Sequence, residues 1–324
     1  MTKRYQPIDP SRLETFSIDQ RQHKVQLDAL AKLPPPGASA AEWIDSLPSF
    51  LGVVEFRAIV EAIVAARRAD RSVVFAMGAH VVKVGCGPIV IDLIRRGIVT
   101  AVAGNGATAI HDVELACTGQ TSEDVADTLR DGRFGMVRET ADFFAEATAL
   151  GARDDIGLGP AVGRLLVEQD RPHADVSILA AAHRAGIPAT VHVAVGTDTV
   201  HMHPQMDGAK LGQATMTDFR LACSVVADLS AADANGPGGV WCNIGSAVLL
   251  PEVFLKAVAV ARNLGADLDA MVTANIDMIG HYRALENLLR RPTQPGNSHE
   301  VIGQHEILLP LLRQAIIEAF GPSD

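Results

Sequence analysis

The chain has 324 residues, 48% of them apolar, 20% charged and 4% aromatic. This is a globular balance that favours helices packed on a sheet over an aromatic-rich β-sandwich. Its formal net charge of −10 leaves it without the basic face that nonspecific binding to nucleic acid or anionic membranes requires. Four scattered cysteines with no CxxC pair (Cys86, Cys117, Cys223, Cys242) argue against a disulfide framework or structural zinc site. With no apolar secretory core near the N-terminus and no run of about 18 apolar residues, a cytoplasmic location is expected.

Residues 1–37 are polar and end in Leu33-Pro34-Pro35-Pro36-Gly37, an extended arm that either crosses a neighbour or stays mobile. Residues 39–68 read as helices, with Ser39 at a helix start and an Arg pair at a helix end. The period then changes. Ser72–Met77 is a continuous apolar run closing in Gly78, the pattern of a buried parallel strand. Pro88–Gly97 follows as a helix with a glycine stop, Val99–Ala103 as a strand and Ile110–Cys117 as a helix. Further on, Val176–Arg184, Phe219–Leu229 and Pro251–Asn263 read as helices. Ala189–Val195, Gly239–Asn243 and Asp269–Thr273 read as strands. The expected fold is α/β, a Rossmann-like parallel sheet with helices on both faces and a helical N-terminal extension. The expected division is residues 1–70 and 71–324.

In such sheets ligands sit beyond the carboxyl ends of the strands. Glycines and small polar residues gather there: Gly78-Ala79-His80, Gly104-Asn105-Gly106, Gly196-Thr197-Asp198, Gly245-Ser246 and Ala274–Asp277. The segment from Ala103 to Glu114 is the richest. A glycine turn leads from a strand into a helix that carries His111, Asp112 and Glu114. Backbone N–H groups at such a turn approach a pyrophosphate closely. A second reading stays open, in which Asp112 only compensates the helix dipole and His111 is a satisfied core residue.

The stretch from Gly78 through Gly85-Cys86-Gly87-Pro88, Leu93–Gly97 and Gly104-Asn105 to Ala109-Ile110-His111-Asp112-Val113-Glu114 resembles the NAD-binding domain of the LOR/SDH-type ornithine cyclodeaminases. Gly119-Gln120-Thr121-Ser122 echoes the turn that follows there. More diffusely, residues 72–280 resemble deoxyhypusine synthase. The resemblance implies NAD held at a subunit interface of a homotetramer. Carried over by position, Gly78, Ala79, His80, Gly104, Asn105, Gly106, Asp198, Gly245, Ser246, Thr273 and Ala274 would line the cofactor. The chain departs from deoxyhypusine synthase in having no lysine after Lys256, where that family holds its substrate as an imine.

The implied activity is an NAD-dependent lyase or transferase acting on a small amine or amino acid, through transient hydride transfer and an imine. His111 would be its base. Asp112, Asp198 or Asp277 would hold the substrate ammonium, and the catalytic candidates are His111, Asp112 and Asp277. Two alternatives stand beside this: a non-catalytic NAD-binding or assembly protein, and a metal-dependent lyase or hydrolase built on His201 and His203. The loop Arg291–Glu300, rich in Pro and Gly, reads as a candidate lid, and the helix from Ile307 to Phe320 as a packing or assembly element.

Overall fold

The computed structural model describes residues 5–231 and 236–321. Among its described residues the arm holds three short 3-10 turns, none with a buried residue. Helix α1 (Ala40–Asp45) starts on a capping box: the Ser39 hydroxyl takes the Glu42 N–H while the Glu42 carboxylate takes the Ser39 N–H. Helix α2 (Leu51–Arg68) buries Phe56, Ile59, Val60 and Ile63. Strand β1 (Val73–Met77) leads into α3 (His80–Lys83) and α4 (Gly87–Arg95). Strand β2 (Ala101–Asn105) leads directly into α5 (Gly106–Thr118).

Four helices precede the third strand: α6 (Val125–Leu129), α7 (Arg138–Arg153), α8 (Leu158–Glu168) and α9 (Ile178–Ala185). Then come β3 (Ala189–His192), α10 (Gly208–Ala227), β4 (Val240–Ile244) and α11 (Leu249–Asn263). Strand β5 (Val272–Asp277), the helical turn α12 (Tyr282–Ala284), a π-helical turn over Leu285–Arg290, β6 (Ser298–Ile302) and α13 (His305–Phe320) complete the order.

All six strands are parallel, in the order β3-β2-β1-β4-β5-β6, the order of the doubly wound dinucleotide-binding fold. The expected Rossmann-like α/β class is therefore correct. Alternation of side chains explains the unbroken apolar strands. On β1, Val73, Phe75 and Met77 enter one core with α4, α5, α8 and α9, while Val74 and Ala76 enter the other, where Trp241 stacks on Phe254. The N-terminal α2 packs across β6 and α13.

Most boundaries move by a few residues (β3, for one, ends at His192 rather than Val195), and three differences bear on the site. Strand β5 is Val272–Asp277 rather than Asp269–Thr273: Met271 N still turns back to the Leu268 carbonyl, and the polar Asn275 and Asp277 pair with β6. Residues Ser298–Glu300, expected in a lid, belong to the sixth strand. Helix α10 begins at Gly208, where the Asp207 carboxylate caps two N–H groups, eleven residues before the expected start at Phe219.

Candidate active site

Chain reversals at the carboxyl edge of β1, β2 and β4 bring Gly78, Gly106 and Gly245 into tight quarters. A Cβ on Gly78 would lie 2.0 Å from the Gly245 carbonyl oxygen, and one on Gly106 would lie 2.0 Å from Asp198 Oδ2. Only glycine permits those approaches. Ala79 and His80 open α3, and Ser246 follows β4. Asn105 caps α5, its Oδ1 accepting the Thr108 N–H at 2.8 Å, while Thr108 Oγ1 ties the helix to the Met77 carbonyl at 2.9 Å. Gly104 lies one residue inside β2. Thus nine of the eleven expected cofactor positions share this edge.

Thr273 and Ala274 do not. Thr273 is paired with Trp241 near the amino-terminal end of β5, buried and hydrogen-bonded to Thr293. Ala274 is buried in mid-strand. With the strand running to Asp277, both fall short of the crevice.

A cavity of about 920 Å³ runs along α5 from Asp198 to Cys117 and Arg171. Its wall carries six acids (Glu114, Glu123, Glu139, Asp142, Glu146, Asp198) against Lys83 and Arg171, an arrangement that favours a cationic guest. His111 lines it. The His111 Nδ1 lies 2.6 Å from Thr121 Oγ1, and Thr121 Oγ1 donates to Glu114 Oε2 at 2.6 Å. Thr140 Oγ1 donates to Glu114 Oε1 at 3.1 Å. Burial lowers the His111 pKa, opposed by the Glu114 charge and reinforced by Lys83, so the neutral base form is favoured.

Asp112 faces the other way. It is 1% exposed and caps α9: its oxygens accept from Ser177 Oγ at 2.6 Å, Ile178 N at 2.8 Å and Leu179 N at 3.1 Å. The Asp112 carboxylate, expected among the catalytic candidates, is thus turned onto α9 and away from the cavity that His111 lines, because a residue one step along a helix turns by about 100°. Asp277 ends β5 and accepts from Met278 N at 2.7 Å. Three strand spacings separate β5 from β2, about 14 Å, and Asp277 is not among the residues lining the His111 cavity.

Asp198 lies over the first turn of α5, buried, with Oδ2 lacking a hydrogen-bond partner and burial raising its pKa. His201 Nε2 is 3.7 Å from that oxygen, while its Nδ1 accepts from Gly196 N and Asp198 N. His203 Nε2 instead bonds the Gly135 carbonyl at 2.8 Å. The two rings thus serve different partners, and among the described residues no three His, Cys, Asp or Glu side chains form a metal-binding group.

Sequence reasoning missed His305. It opens α13 at the crevice, fully buried, with its ring 5.3 Å from that of His80 and its Nε2 bonded to the Ile276 carbonyl at 3.2 Å. Also missed was a row across β4, β5 and β6, in which Asn243 Nδ2 donates to Asn275 Oδ1 and Asn275 Nδ2 to Glu300 Oε1. Strand register alone aligns those residues, and no local pattern announces it. Asp198 Oδ2, Asn243 Oδ1 and His305 Nδ1 lack partners at this edge. A dinucleotide, whose ribose hydroxyls and carboxamide can donate to such acceptors, suits these residues and the glycine cradle chemically.

No helix among the described residues is long and apolar enough to cross a membrane. No family model matches the sequence, and no curated protein matches it. Among solved structures the chain is similar to AgrE in a ternary complex with ornithine and NAD+, at 15% identity and a TM-score of 0.53, covering 84% of this chain and 34% of that one. A provisionally assigned deoxyhypusine synthase from Entamoeba histolytica is similar at 11% identity and TM-score 0.48, covering 87% and 94%. A LOR/SDH protein from Methanococcus maripaludis S2 is similar at 12% identity and TM-score 0.47, covering 83% and 70%. This chain spans about a third of the length of AgrE. The likeness to AgrE is one of fold, the same parallel α/β architecture derived above.

Proposed function

We propose that this chain is a cytoplasmic, NAD-dependent enzyme of amine or amino-acid metabolism, a lyase or transferase working as a homotetramer. The observation that carries the reading is His111, open to an acid-lined cavity little more than one helical turn from the glycine cradle at Gly106. The AgrE structure, which binds ornithine and NAD+ on a similar fold, supports it. Gly78, Ala79, His80, Gly104, Asn105, Gly106, Asp198, Gly245 and Ser246 would hold the cofactor. NAD, when bound, supplies a hydride acceptor for the carbon bearing nitrogen, which becomes an imine carbon.

An ammonium group must first lose a proton, because its nitrogen has no electron pair to drive that step. His111 Nε2 receives the proton, and the acid wall draws the cationic substrate in and orients it. The test is His111→Gln, which keeps size and hydrogen bonding. Turnover of the amine or amino acid found to reduce NAD is expected to fall ~10²–10⁴-fold, with NAD affinity by calorimetry and melting temperature nearly unchanged. A variant that melts far earlier yet turns over normally makes His111 a packing residue. No calorimetric NAD binding by the intact protein at millimolar cofactor sinks the cofactor reading.

A further inference from the structure

We propose that Thr121 and Glu114 are positioning residues that hold His111 in the Nδ1–H tautomer, leaving Nε2 as the proton acceptor facing the cavity. The inference rests on the reading of His111 as a base and adds what fixes its proton. The chain reversal after α5 makes the cluster. Gly119 closes the helix in the left-handed region at φ 72°, and Ser122 follows at φ 72°, so the chain doubles back and lays Thr121 against His111 and Glu114. Thr140 arrives from α7.

Proton counting then decides the tautomer. A carboxylate only accepts, and a threonine hydroxyl has one proton to give. The Thr121 proton goes to Glu114 Oε2 at 2.6 Å, and the Thr140 proton to Glu114 Oε1 at 3.1 Å. At 2.6 Å from Nδ1, Thr121 Oγ1 has nothing left to donate and accepts Nδ1–H. A neutral imidazole carries one N–H, so Nε2 keeps its lone pair. Nε2 has no hydrogen-bond partner and is not sealed from solvent, unlike the buried unpartnered nitrogens of His201 and His305.

When a substrate ammonium N–H breaks, its electron pair stays on the substrate nitrogen and the proton forms the Nε2–H bond. The imidazolium charge then sits 3.9 Å from Glu114 Oε2, with the Thr121 hydroxyl between them. Aiming and charge compensation thus come from the same two residues.

The tautomer is read without substrate or cofactor, by ring ¹⁵N chemical shifts of the full-length protein labelled at histidine. Expected for the wild type is His111 protonated at Nδ1 and bare at Nε2. Thr121→Val removes the acceptor, and His111 is expected to move toward the Nε2–H form that free imidazole prefers. Thr121→Ser restores the hydroxyl and the wild-type pattern. Glu114→Gln, able to donate to Thr121 through its amide, is expected to weaken the preference. A wild-type ring protonated at Nε2 overturns the proposal, as does a folded Thr121→Val protein with the tautomer unchanged. If Thr121→Val does not fold, the wild-type and Thr121→Ser spectra still decide. Loss of the base reading itself appears elsewhere, as normal turnover in His111→Gln.

Discussion

His111 and Asp112 are neighbours in sequence that end in opposite environments. The imidazole borders the cavity, while the carboxylate enters the core and takes three donors at the start of α9. Burial raises the Asp112 pKa to about 6, partly offset by Ser177, Ile178 and Leu179. Removing the carboxylate leaves Ile178 and Leu179 N–H groups and the Ser177 hydroxyl in a dry interior. Asp112→Ala is expected to cost about 2–4 kcal/mol of stability, seen as a lowered midpoint in urea, while cavity chemistry in the folded fraction persists. A variant with an unchanged midpoint would show that these donors find other partners. In sequence, the pair read together with Glu114 as three ionisable groups beyond a glycine turn. That a site lay near this turn was legible; which of the two side chains faced it depended on where α9 packs.

At the scale of elements, the sheet is held to its flanking helices by buried carboxylates. Asp218 on α10 accepts from Leu158 N at 3.1 Å and Gly159 N at 2.9 Å at the start of α8, and from Val191 N at 2.9 Å on the edge strand β3. Its other oxygen packs so closely on Gly157 that a Cβ there would lie 2.0 Å away. Burial dominates and pushes the Asp218 pKa up to about 7 from the ordinary 3.8. The folded chain therefore holds this proton when the unfolded chain has released it. The stabilisation is complete below the unfolded value and is lost as pH rises through the folded one. The melting temperature of the wild type is expected to fall across this window, and Asp218→Asn to flatten that part of the profile. An identical slope in the variant would assign the pH dependence to other groups. The same layer explains the displaced boundaries: β5 continues through Asn275 and Asp277 because β6 supplies ladder partners, which no local propensity foretells.

For the whole molecule, the arm is the unfinished part. Ile8, Leu13, Phe16, Leu27 and Leu33 are exposed, Leu27 to 88% and Leu33 to 94%, and Lys32 N bonds the Ser46 carbonyl at 2.9 Å to fix the arm's end against α1. Such a row has apolar area to bury against a second copy, worth about 1.5–3 kcal/mol for each side chain fully covered. Light scattering is expected to give the mass of an oligomer, and replacing Leu13, Phe16, Leu27 and Leu33 with serine to lower it. An unchanged mass would place the interface elsewhere.

The class of fold was legible in the order of residues alone. Continuous apolar runs of strand length alternating with amphipathic helices admit few arrangements other than a parallel sheet covered on both faces. The same order of residues also marked the carboxyl edge, because glycines there satisfy a local steric need that shows in the residues themselves. Which polar groups meet follows from the packing of the elements. Thr121 reaches His111 through a left-handed turn, Thr140 reaches Glu114 from another helix, and Asn243, Asn275 and Glu300 align through register. His305 comes to His80 from a distant part of the chain. Such contacts depend on the packing of whole elements, and a side chain's neighbours across that packing leave no periodic trace in its own segment.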